Sequence, residues 1–120
     1  MAETKLLQSD LITNKYTDIL YEEPYQYNAP HNFKVFKTNT HKELADIHFQ
    51  EGAINECGIN GVANEDLIAM VIKRLECFQE SPFKCQENQM AIIKLQESLM
   101  WLRKRTTARE QRNVEGTHNI

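Results

Sequence analysis

The sequence predicts an α+β fold in which a small N-terminal β region packs with a long antiparallel two-helix hairpin, assembled as a homo-oligomer. Three observations carry this prediction. Period-two alternation of apolar and polar residues is confined to residues 31–54. Helical periodicity fills most of residues 64–112, broken at Ser81-Pro82. Two helices joined by so short a link run antiparallel, yet two helices cannot enclose a core alone, so the pair packs on the strands and on a second copy of itself. With 120 residues the chain suits one domain, 1–120.

Residues 1–30 form an N-terminal segment ending in YEEPYQYNAP, punctuated by Pro24 and Pro30. Its Tyr21, Tyr25 and Tyr27 are available for packing, and its role is left open. Residues 31–63 hold the strands and a glycine-containing loop. NFKVFKT (32–38) alternates through Phe33 and Val35 until Phe36 breaks phase, and DIHFQEGAI (46–54) puts Ile47 and Phe49 on one face. Gly52, Gly58 and Gly61 then mark turns. Helix A spans 64–80, with Asn64 as N-cap, Glu65 and Asp66 in its first turn, and Leu67, Val71, Leu75 and Phe78 as its apolar stripe, flanked by Ile68 and Ile72. Helix B spans 82–112, with Ser81 as N-cap and Pro82 at its first position. Its core stripe is Ile92, Leu95, Leu99 and Leu102, and residues 113–120 form a tail. Helix A has about half the length of helix B.

Composition narrows the function classes. A net charge of −3 and a pI near 5.8 argue against bulk nucleic-acid binding. No apolar run approaches the roughly 20 residues that span a bilayer. The N-terminal residues lack a signal-peptide pattern, and the odd set Cys57, Cys77 and Cys85 reads as free thiols of a reducing cytosol. His31, His41, His48 and His118 show no metal-ligand spacing, so no metal or cofactor is expected. With no nucleophile motif or marked carboxylate pair either, an enzyme is the less favoured class.

Two constellations remain. Trp101, Arg105, Arg109 and Arg112 are spaced four, four and three residues apart, one stripe on a helix. This stripe is either a solvated face with cations well placed at a helix C-terminus, or a phosphate clamp of guanidinium groups beside a stacking aromatic. The inter-helix turn ECFQESPFKCQEN sets Phe78 and Phe83 near Gln86 and Asn88. These are either core rings and solvated amides, or an aromatic platform beside an amide that reads a base edge.

The pieces NGVANEDLIAMVI, RLECFQ, SPFKCQEN, KLQESLMWL, KRT and VEGTH, in this order, resemble the phage Thoeris anti-defense proteins of the first type. Those proteins share their helical hairpin with the anti-CBASS cyclic-nucleotide sponges. The resemblance is dense over about half the chain. It implies a small N-terminal antiparallel sheet packed with the hairpin, assembled as dimers or as trimers of dimers. It further implies a non-catalytic sponge in the cytoplasm of the infected bacterial host. Such a sponge sequesters cyclic ADP-ribose isomers made by TIR enzymes and so blocks Thoeris immunity. Cyclic di- or trinucleotides, at the same or a second site, are the alternative ligands, and a signal-cleaving enzyme is the less favoured alternative. Neither a membrane nor a nucleic acid is an expected partner. Carried over by motif, the adenine-side contacts fall on Phe78 and Asn88 and the pyrophosphate contacts on Arg105 and Arg109; Trp101 and Arg112 join them from the stripe. Two positions depart from the family pattern: Gln86 stands where the turn motif commonly has Arg, and Ile93 where helix B commonly has Thr.

Asn88 and Arg105 lie 17 positions apart on helix B, about 25 Å at 1.5 Å per residue. A cyclic ADP-ribose cannot span that distance. An antiparallel dimer brings the arginine end of one chain beside the Phe78/Asn88 turn of the other, giving two identical sites at the subunit interface.

Overall fold

The computed structural model describes residues 3–120 and has an α+β architecture. Four strands, β1 (Glu3–Leu6), β2 (Thr17–Glu23), β3 (Asn32–Lys37) and β4 (Glu43–His48), form one antiparallel sheet in the order β1-β2-β3-β4. The segment before residue 31, whose role the sequence left open, thus supplies half of the sheet. Opposite each other in β2 and β3 stand Tyr21 and Phe33, with ring centroids 6.1 Å apart, and Phe49 meets the edge of Phe33 at 5.5 Å. This row of rings is the aromatic centre of the sheet. The β3–β4 register shifts between Val35 and Phe36, so the phase break visible in NFKVFKT is a β-bulge.

The second strand is shorter at its C-terminal end than DIHFQEGAI suggested. After His48 the chain leaves the ladder. Phe49 bridges to Val62, and Gln50 N–H donates to Val62 O at 2.9 Å. Asn60 closes the intervening loop: its Oδ1 accepts from Glu51 N–H and its Nδ2 donates to Glu51 O, both at 2.8 Å. Inside the loop lies α1 (Ile54–Cys57). Gly61 must be glycine here, since a Cβ would sit 2.5 Å from the Phe49 backbone. At this same end of the sheet, where Asn32 pairs with His48, both Glu22 carboxylate oxygens are engaged at 2.9 Å, one by His31 N–H and one by Asn32 Nδ2. The Asn32 amide, then the His31 N–H, hold this carboxyl below its ordinary pKa.

Two longer helices follow, α2 (Asn64–Gln79) and α3 (Gln86–Gln111), packed on each other. The chain falls into two compact units, Met1–Val62 and Ala63–Ile120. Asn64 is the first helical residue of α2 rather than its cap. Ala63 occupies the cap position, and its N–H donates to the Asp66 carboxylate at 2.8 Å. Helix B starts four residues later than Ser81-Pro82 predicted. Ser81 Oγ instead donates to Phe78 O at 2.6 Å and accepts from Phe83 N–H at 3.1 Å, which finishes α2. The Gln79 side chain then holds the extended Cys85 backbone from both sides, donating to its carbonyl at 2.9 Å and accepting from its N–H at 3.0 Å. The helix therefore restarts only at Gln86, with Cys85 Sγ accepting from Asn88 N–H.

On α2, Leu67, Ile68, Ile72, Leu75 and Gln79 are covered, whereas Val71 and Phe78, expected in the core, are 47% and 37% exposed. On α3 the expected stripe holds: Ile92 is buried and Leu95, Leu99 and Leu102 are half-buried. The opposite face is mixed, with exposed apolar side chains interleaved with Glu97 and Lys104. Met90, Ile93 and Met100 fall on one line along the helix and are exposed, with Trp101 beside them.

Candidate functional site

Charge divides between the units. Residues 1–62 carry five Lys/Arg against nine Asp/Glu, and residues 63–120 carry nine against eight. The sheet unit has a cavity of about 590 Å³ lined by Glu22, Tyr25, Tyr27, Glu51, Cys57 and Asn60. Cys57, and behind it Glu51 and Glu56, push the Tyr27 hydroxyl above its ordinary pKa. Carboxylates and no lysine or arginine line this cavity, so it is poorly suited to a phosphate. The cations of the sequence-predicted site lie instead in the helical unit.

There the sequence-predicted residues fall into two groups. At the turn, Phe78 closes the last helical turn of α2 and Asn88 lies half-buried in the first turn of α3. A groove of about 860 Å³ runs beside Phe78, lined by Met70, Lys73, Arg74, Cys77 and Phe83. The Arg74 guanidinium lies over the Phe78 ring, 5.1 Å from its centroid. Sequence reasoning did not single out Lys73 or Arg74. The signal was there, because Arg74 precedes Phe78 by four residues, one turn of the same helix.

At the far end of α3, Trp101 is 62% exposed and Lys104 stacks on it, 5.0 Å from the ring centroid. Arg105 is exposed, and no ion pair engages it among the described residues. Arg109 and Arg112 are held by the tail. Arg109 Nη2 donates to Val114 O and Thr117 O, each at 3.0 Å, and Arg112 Nη1 donates to Ile120 O at 3.0 Å. Asn113, at φ 59°, turns the chain back, and Val114 N–H donates to Arg109 O at 3.0 Å. The tail's part in fixing the arginines was invisible in the sequence, because backbone carbonyls leave no residue signature.

Because α3 is unbroken from Gln86 to Gln111, Asn88 and Arg105 stand about 25 Å apart in one chain. The turn group and the arginine group are not brought together within a chain. Chemically, the turn group offers an aromatic face, an amide and two cations, and the stripe offers planar guanidinium donors. The three cysteines are exposed and free. Among the described residues no cluster of three or more His, Cys, Asp or Glu could hold a metal, and no helix is long and apolar enough to cross a membrane.

Comparison with known proteins places the helical unit in a described family. Residues 41–107, which include Phe78, Asn88, Trp101 and Arg105, match the family model described as Acb2/Tad1, hairpin domain. The chain is also similar to Thoeris anti-defense 1 of Bacillus phage SBSphiJ7: 45% identical across an alignment of 137 positions, which covers 93% of this chain and 96% of that protein.

Proposed function

From the premise that this chain belongs to the Acb2/Tad1 hairpin family, we propose that it is a phage anti-defense protein that binds and sequesters cyclic ADP-ribose isomers, without degrading them, in the cytoplasm of an infected bacterium. The name Thoeris anti-defense 1 supports the anti-defense part of this reading. The observation that carries the reading is the separation of two complementary half-sites along one rigid helix. One half has a ring and an amide suited to a purine, and the other has arginines suited to a pyrophosphate.

The halves meet when two chains pair antiparallel along α3. The exposed side chains of Met90, Ile93 and Met100, with Glu97 among them, supply apolar contacts for that pairing. Ile93 extends this line where the family resemblance led us to expect a threonine. In such a dimer Phe78 and Asn88 of one subunit face Arg105, Arg109, Trp101 and Arg112 of the other, giving two identical sites. Sequestration at sub-micromolar signal requires about 8–12 kcal/mol. Two arginine–phosphate pairs and one stacked base reach that scale when the arginines are held before the ligand arrives. The tail carbonyls on Arg109 provide such a hold.

The test is retention. The protein is incubated with a mixture of cyclic ADP-ribose isomers and cyclic di- and trinucleotides, washed, and heated to release what remains. Mass spectrometry is expected to find an intact cyclic ADP-ribose isomer. Recovery of a linear product would replace the sponge by an enzyme, and recovery of cyclic di- or trinucleotides alone would change the ligand class.

A further inference from the structure

We infer that Arg74 is the second wall of the base subsite: a nucleobase stacks on Phe78 and the Arg74 guanidinium closes over its outer face, with Lys73 drawing the attached phosphate into the same groove. This rests on the reading of Phe78 as the base platform and adds to it two cations that the family-derived residue set does not contain. Three observations lead there. The guanidinium already lies over the Phe78 ring at 5.1 Å, so the face a base needs is covered in the free protein. The groove beside it holds about 860 Å³ and joins the rings of Phe78 and Phe83 and the Met70 side chain to Lys73 and Arg74, which are cations. Phe78 is 37% exposed, so its ring is available to a ligand as well as to the core.

A flat base between ring and guanidinium needs a contact layer of about 3.5–4 Å on each side. That is roughly 7–8 Å from ring to guanidinium. Arg74 must therefore swing outward by about 2–3 Å, well within the reach of its long, exposed side chain. The guanidinium is planar and stacks as well as carrying charge, which a lysine ammonium cannot do. Arg74 is thus cover in the free protein and wall in the complex, and the subsite takes a nucleobase with an adjacent phosphate.

Calorimetric titration of cyclic ADP-ribose into the wild-type protein and the variants Arg74→Ala, Arg74→Lys and Phe78→Ala, each at two ionic strengths, tests this. Arg74→Ala is expected to weaken binding about tenfold with a shallower salt dependence. Arg74→Lys is expected to keep the salt dependence while recovering only part of the affinity. Because Arg74 is exposed, circular dichroism and melting should be unchanged. Loss of binding in Phe78→Ala with wild-type affinity in Arg74→Ala would overturn the second wall and leave the Phe78 platform standing. Tighter binding in Arg74→Ala would make Arg74 a competitor for the ring and also overturn it. Wild-type affinity in Phe78→Ala, or no binding by the wild-type protein, would remove the platform and Arg74 with it.

Discussion

Replacing Ile93 and Met100 together by glutamate is expected to give a folded monomer that retains no ligand, with affinity reduced at least a hundredfold. Both side chains are exposed, at 43% and 71%, on the face of α3 opposite the Ile92–Leu95–Leu99–Leu102 stripe. The intrachain packing therefore loses little, and surface changes of this kind ordinarily move stability by about 0.5 kcal/mol. Across an antiparallel interface the same carboxylates meet their own kind or an apolar partner without water, which is strongly unfavourable. Each released chain keeps one half-site of each kind, about 25 Å apart on α3, too far for one small ligand. Analytical ultracentrifugation reports the mass, circular dichroism the fold and calorimetry the affinity. A folded monomer that binds as tightly as the wild type would place the whole site within one chain.

Arg109→Ala is expected to weaken ligand binding by tenfold to a hundredfold with little change in the fold. Charge-assisted hydrogen bonds to phosphate are worth about 1.5–3 kcal/mol, and roughly 1.4 kcal/mol corresponds to each factor of ten. The side chain is also tied down in the free protein. Its Nη2 serves Val114 O and Thr117 O, which leaves its remaining N–H donors for an anion. An arginine already fixed loses less side-chain entropy on binding than a free one. Arg109→Lys should therefore recover little, since a single ammonium nitrogen cannot hold the two tail carbonyls while separate Nε and Nη1 donors face the phosphate. A change below about twofold for Arg109→Ala would remove Arg109 from the site and leave its tail contacts as purely structural.

How much of this was legible in the sequence depended on how local the determinant was. The helical repeat of Ile92, Leu95, Leu99 and Leu102 showed directly, because it is a property of one element. The phase break at Phe36 showed as a broken alternation and proved to be a bulge. The strands before residue 31 did not show: β2, TDILYEE, carries little alternation and gains its state from pairing with β3. The start of α3 was misplaced for a similar reason. Ser81-Pro82 has the residue types of a helix start, but Ser81 Oγ is engaged by the end of α2, and the Gln79 amide holds Cys85 extended. Phe78 is exposed against its place in the apolar repeat. For the site, the spacing of Trp101, Arg105, Arg109 and Arg112 marked one helical stripe. The Arg74–Phe78 stack was legible as an i,i+4 pair, while the tail's grip on Arg109 runs through main-chain carbonyls and has no sequence signature.

The proposal that one site is built from two chains is tested most directly by complementation. Phe78→Ala and Arg109→Ala chains are each expected to bind weakly alone. Unfolded together and refolded as a mixture, half of the dimers carry one chain of each kind. In an isologous pair such a mixed dimer has one site lacking both groups and one site with both intact. Calorimetry of the mixture should therefore recover wild-type affinity at about a quarter of the wild-type stoichiometry. A mixture that binds no better than its two components would contradict a site shared between subunits.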